Sequence, residues 1–243
     1  DYLKRVKLNL DFGRARKYLE DSEYIFGFSG NGKLVFVLKK DSPNSNNGVL
    51  KYLYDNQSLK EIGYVEGKNL VFSGKVQSFN EEGVLITQRQ YYQGKLEGLE
   101  KVFSEDGKLE EERVYKNNLV NGEEIYYYDN GKVAQKNQYI AGKMEGESLI
   151  YYDNGEISAK INYKNDKRDG IYFLYYENGT KKEEGYLKND KFAVKFDGLV
   201  LNFEIIKSPN RDCSRFGFTQ EYFKFTRRKR LDLLKFGARG KAN

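Results

Sequence analysis

The chain has 243 residues, of which 39 % are hydrophobic and 32 % charged, with two Pro, one Cys, no His and no Trp. A single Cys (Cys213) and no His exclude Ser-His-Asp and Cys-His nucleophilic systems, an internal disulfide, a Cys-type zinc site and a CxxC redox pair. The formal charge of +6 is confined to the C-terminal end: residues 211–243 hold ten Lys or Arg against three Asp or Glu, whereas the rest is nearly neutral and mixes both signs as a solvated β surface does.

Residues 1–23 follow no repeat and read as an N-terminal cap. The chain begins at Asp1 rather than Met, which fits signal-peptide removal as well as a trimmed reading frame, so a cytoplasmic and an exported location both stay open. No stretch is long and apolar enough to form a membrane-spanning helix. The first conspicuous motif, Gly27-Phe-Ser-Gly-Asn-Gly32-Lys33-Leu34, reads almost as a phosphate-binding loop. Such a loop needs Ser or Thr after the Lys and a helix beyond it, whereas Leu34 fills that position and Val35 to Leu38 predict a strand, so a hairpin turn is expected. Asp41 to Asn47 reads as an exposed loop.

From residue 24 to residue 194 the chain repeats. Gly83, Gly107, Gly131, Gly155 and Gly179 stand 24 residues apart, each after an acidic residue or Asn. Gly98, Gly122, Gly146 and Gly170 form a second series at the same spacing. Two turn signals per period predict two strands per period, a β-hairpin unit, with Asp129-Asn130 and Asp153-Asn154 supplying positive φ at type I′ turns. Phe79, Phe103, Tyr127, Tyr151 and Tyr175 stand four residues before the first glycine series, and Tyr91, Tyr115, Tyr139 and Tyr163 eight after it. Two weaker units, at Gly32 and at Gln57 in place of a glycine, bring the total to about seven. Stacked in one antiparallel meander they predict a wide, single-layer, curved sheet.

Segments such as Gly122-Glu-Glu-Ile-Tyr-Tyr-Tyr-Asp-Asn-Gly131-Lys and Gly142-Lys-Met-Glu-Gly146-Glu-Ser-Leu-Ile-Tyr-Tyr-Asp-Asn-Gly155-Glu resemble MORN repeats, of the bacterial variety found in antitoxin-like proteins. The resemblance implies an elongated antiparallel sheet, a binding or scaffolding role and no active site. The chain departs from the pattern at Asn56-Gln57 and in its last unit, where Lys181 and Lys182 replace apolar residues and Val194 replaces the second glycine.

Two surfaces are candidates for binding. If Asn130-Gly131 is a two-residue turn, alternation puts Tyr126, Tyr128, Val133 and Tyr139 on one face, and Tyr127, Ala134, Lys136 and Gln138 on the other. Phe79, Phe103, Tyr127, Tyr151 and Tyr175 then form an aromatic stripe on the more polar face, either a contact surface for a partner or a cross-strand packing that stiffens a thin sheet. Residues 195–243 read as a C-terminal cap and basic tail, with Gln220 to Phe236 the best helical stretch and Gly237 its stop. Arg227, Arg228, Lys229 and Arg230 could meet nucleic acid or anionic lipid through residues 224–241, or lie on a solvated capping helix. The expectation is an all-β, single-layer sheet of stacked hairpins with a short C-terminal helical cap, without catalytic residues, cofactor or metal. Its role is that of a protein-binding module, restraining a toxin or effector enzyme as the resemblance implies. Attachment to an anionic membrane surface or nucleic acid through the basic segment is the alternative.

Overall fold

The computed structural model describes residues 15–196, 199–202, 204–206 and 222–224. Strands rich in Tyr, Val, Ile and Phe follow one another from Lys17–Glu20 to Leu199–Asn202, each paired antiparallel with its neighbours in the chain. Strand contacts run mainly between these hydrogen-bonded neighbours, so the structure is one open meander, a single layer thick. A separate two-stranded pairing joins Glu204–Ile206 to Tyr222–Lys224. Within the expected C-terminal helix, Tyr222–Lys224 are therefore extended, in keeping with the β preference of Tyr222-Phe223. The remainder of that stretch, including Arg227, Arg228, Lys229 and Arg230, lies outside the described residues.

Two turn types alternate along the meander. At the first glycine series the loop holds three residues: the Tyr128 N–H donates to the Lys132 carbonyl (2.8 Å), the Gly131 N–H to the Tyr128 carbonyl (2.8 Å), and Gly131 has φ +77°. This is a type I turn closed by a bulge, not the expected type I′ turn, and only its last residue needs the left-handed region. Gln57 takes that conformation (φ 70°) where its unit lacks the glycine. The Gly27–Leu34 segment closes the same way, with Ser29 and Lys33 bonded across the loop (2.8 Å), as a hairpin between Tyr24–Phe28 and Leu34–Lys40. The Asp41–Asn47 insertion is a largely exposed loop, steadied by Lys40 Nζ donating to the Pro43 carbonyl at 3.0 Å.

The second turns lie elsewhere than the second glycine series. The type I′ pairs, both residues at positive φ, are Gln93-Gly94, Asn117-Asn118, Ala141-Gly142, Asn165-Asp166 and Asn189-Asp190. Gly98, Gly122, Gly146 and Gly170 sit just past these turns, inside strands, at φ between +90° and +130°. They pair regularly with Tyr115, Tyr139, Tyr163 and Leu187 on one side. On the other they lie at an irregular step against the strand before the turn, as Gly122 does between Arg113 and Tyr115 and Gly170 between Ile161 and Tyr163. A turn and a bulge call for the same conformational freedom, which is why the two are alike in the sequence.

Register divides the side chains into two faces. One, the packed face, carries a row running Ile25, Leu38, Leu50, Gly63, Val76 and Arg89, each pairing with the next. The row continues through Glu100, Arg113, Glu124, Asn137, Ser148, Ile161 and Tyr172. At its start the row is apolar and joins Phe36 and Val65 in the hydrophobic core. In its middle it is ionic and buried: Glu100, Glu111 and Glu124 are 4 %, 7 % and 5 % exposed. Arg89 Nε donates to Glu100 at 2.6 Å. Arg113 bonds Glu111 and lies 3.2 Å from Glu124 and 3.8 Å from Glu100. Asn137 donates to Glu124 (2.9 Å), and Ser148 donates to Asn137 (2.7 Å). The charges of the repeat body are thus not all a solvated surface. A single layer lacks the apolar area to bury this strip, and mutual ion pairing satisfies it instead.

Arg113→Met removes the cation shared by three buried carboxylates and should destabilise the protein by on the order of 3 kcal/mol in urea unfolding. Burial pushes the Glu111 carboxyl above its ordinary range, with Arg113 opposing, so its ionised form is the disfavoured one in the folded state. Its contribution is therefore fully present below the unfolded carboxylate pKa and is lost as pH rises through the folded value. Glu111→Gln should flatten this part of the pH dependence and leave the neutral-pH stability equal or higher, as read from thermal melts across the acid range.

Candidate protein-binding face

The opposite, open face begins from the same register. Lys101, Glu112, Ile125, Lys136, Leu149, Lys160 and Phe173 pair in sequence along its middle. Two residues further along their strands, at the end of the three-residue loops, stand Phe103, Tyr127, Tyr151 and Tyr175, with Phe79 at the same height in the unit before. The structure therefore brings these five residues to one level of one face, the face that also carries Lys136 and Gln138. Tyr126 and Tyr139 are on the other face. The loop bulge falls in the returning strand, where Tyr127 pairs with Val133 and Ala134 is the extra residue. Because the bulge is not in the strand that carries Tyr127, the stripe keeps its side.

All five stripe residues are half-buried. The Tyr127 hydroxyl donates to Glu112 at 2.6 Å, and Glu112 is itself paired with Lys101 at 2.7 Å. Burial, reinforced by that bond, pushes the Tyr127 phenol up to about 12, so it stays a neutral donor across the physiological range. Tyr175 leans on Phe173, their ring centroids 6.4 Å apart, and Lys181 Nζ sits 6.0 Å above the Phe173 ring. Lys182 likewise covers Tyr176 at 5.6 Å, so the two lysines of the divergent last unit lie over aromatic rings.

The stripe backbone is held from the neighbouring unit. Tyr54, Tyr128 and Tyr152, each opening a three-residue loop, donate their hydroxyls to the carbonyls of Phe79 (2.8 Å), Tyr151 (2.5 Å) and Tyr175 (2.7 Å). At the other edge of the ribbon the type I′ turns clasp one another. The Asn118 N–H donates to the Leu96 carbonyl (3.0 Å), while its side chain accepts the Leu96 N–H (2.7 Å). Asp166 repeats both bonds on Met144 (3.0 and 2.7 Å), and Asp190 repeats them on Arg168 (2.9 and 3.0 Å). These clasping residues escaped the sequence reading, although Asn118, Asp166 and Asp190 share the 24-residue columns. Their spacing from one turn to the next was the available signal. The result is a platform bearing a row of rings, its turns bonded from one unit to the next. Among the described residues no group of Cys, His, Asp or Glu could hold a metal ion.

Four consecutive segments, residues 96–117, 120–141, 144–165 and 168–189, match the family described as a MORN repeat variant. No curated protein matches the chain. Each matched segment begins just past one type I′ turn and ends within the next, so it comprises a strand, a three-residue loop and a returning strand. Matching segments and hairpins agree in length, period and phase, and the chain is a MORN-type repeat protein.

Proposed function

We propose that this protein is a non-catalytic module that binds another protein through the open face of its sheet, and that the partner is a toxin or effector enzyme held in check by the contact. The observation that carries the reading is the division of labour between the faces. The charged groups in the middle of the packed face are engaged with one another, as in the Arg113 cluster. The open face carries the five-ring stripe and also Tyr92, Leu99, Leu119, Ile140 and Ile171, all exposed. Large apolar side chains left in water on one face mark a contact surface, and Tyr and Phe give much contact area for little lost side-chain freedom. Restraint of a toxin or enzyme is the form of binding suggested by the resemblance to antitoxin-like repeats.

The charge asymmetry of the sequence supports a second attachment, of residues 224–241 to anionic lipid or nucleic acid. Truncation after Asn210 should abolish salt-sensitive binding to liposomes and RNA; unchanged binding would remove that reading.

The stripe is tested by Tyr127→Ala combined with Tyr151→Ala. The backbone bonds that hold the units survive both changes, so circular dichroism and melting should stay close to those of the parent. Affinity for the natural partner should fall on the order of a hundredfold, as for two interface hot spots. Undiminished capture by the double variant would contradict the reading.

A further inference from the structure

The type I′ edge of the open face holds a second feature that the aromatic stripe does not explain. The residues flanking each turn pair directly across it, and those on the open face form a row along the ribbon. Lys95, Lys116, Lys143, Lys164, Lys167 and Lys191 occupy this row, and all are exposed. None has an ion-pair partner among the described residues. The row's remaining lysine, Lys188, is paired with Asp169 at 2.8 Å. Other carboxylates beside the row are also engaged: Glu97 accepts the Asn117 N–H and Glu145 the Asn165 N–H, each at 2.8 Å. Tyr92, Leu119 and Ile140 stand among the first lysines, 63 %, 50 % and 62 % exposed. The second half of the row, from Lys164 onward, is lysine alone.

We propose that this edge docks an extended acidic protein segment, with an acidic side chain about every third residue and apolar side chains toward the end that lies over Tyr92, Leu119 and Ile140. The proposal rests on the protein-binding reading above and adds the chemistry of the partner. The spacing supports it. One hairpin advances the row by two strands, about 9.6 Å, and three residues of a polyproline II segment advance about 9.3 Å. An acid at every third position therefore keeps step with the lysines from one unit to the next. The row is one side chain wide, and it winds as the sheet twists by roughly 20–25° per strand. A flexible chain can follow such a row, whereas a flat bilayer meets only a few units at a time. Single-stranded nucleic acid could also follow it, but such sites are built on aromatic platforms, and Tyr92 is the one ring among three apolar contacts.

The test uses the full chain and fluorescence anisotropy. The probe is a labelled proline-rich peptide of about eighteen residues with Glu at every third position and Leu near one end. A peptide of the same composition with its Glu residues in one block, an oligothymidylate and phosphatidylserine vesicles serve as comparisons. The spaced peptide should bind about fivefold or more tightly than the blocked one, and its binding should weaken with salt. Combined Lys116→Glu, Lys143→Glu and Lys164→Glu should weaken it about tenfold or more with the melting temperature kept, because these side chains are exposed. Equal binding of the two peptides, undiminished binding by the lysine variant, or binding of only the oligothymidylate or the vesicles would each overturn the proposal. A natural partner lost by the Tyr127→Ala, Tyr151→Ala variant but fully retained by the lysine variant would overturn this edge and leave the protein-binding reading standing.

Discussion

Register in a sheet made only of hairpins is set at its turns, and here each turn needs residues in the left-handed region at a fixed place. Gly131 and its equivalents close the three-residue loops, and pairs such as Asn117-Asn118 and Asn165-Asp166 close the type I′ turns. A slip of one residue at any of them would exchange the two faces of every strand beyond it. In a single-layer sheet no second layer corrects such a slip. The clasps of Asn118 on Leu96 and Asp166 on Met144, and the tyrosine hydroxyls on the stripe carbonyls, bond each turn to the unit before or after it. The turns are thus locked to one another as well as within themselves.

With register fixed, the two faces can differ in kind. The packed face changes from an apolar core around Phe36 and Leu38 to a buried ionic strip around Arg113, and the transition falls between Val76 and Arg89. Ion pairs buried in this way add less net stability than apolar packing would, but they are costly to mismatch. A strip in which Glu100, Arg113 and Glu124 alternate across neighbouring strands penalises misregistered stacking of near-identical units. The open face, relieved of core formation, is left with rings, aliphatic side chains and lysines in parallel rows.

The period, the hairpin unit and the level of the five aromatic residues were legible because 24-residue columns do not depend on exact turn geometry. Gln57 was legible as a glycine substitute for the same reason. The second glycine series misled, because Gly98 and Gly122 obey the rule for a turn while serving as bulges. The true turns at Asn117-Asn118 and Ala141-Gly142 vary in residue type and so give a weaker column. Charge misled in another way. Arg89 and Arg113 are one period apart, as are Glu100 and Glu124, yet Lys and Glu are so common in this chain that the columns pass for solvated surface. Only pairing across strands shows that they meet. The lysine row was hidden likewise, since its members come alternately from before and after each turn.

We propose that one face of the sheet builds the fold and the other meets the partner. Tyrosine lies on both, so covalent labelling of tyrosine read by mass spectrometry, with and without the bound partner, compares the two within one molecule. The partner should shield Tyr127, Tyr151 and Tyr175 while Tyr91, Tyr115 and Tyr139 label as in the free protein. Shielding of Tyr91, Tyr115 and Tyr139 with Tyr127, Tyr151 and Tyr175 unchanged would contradict it.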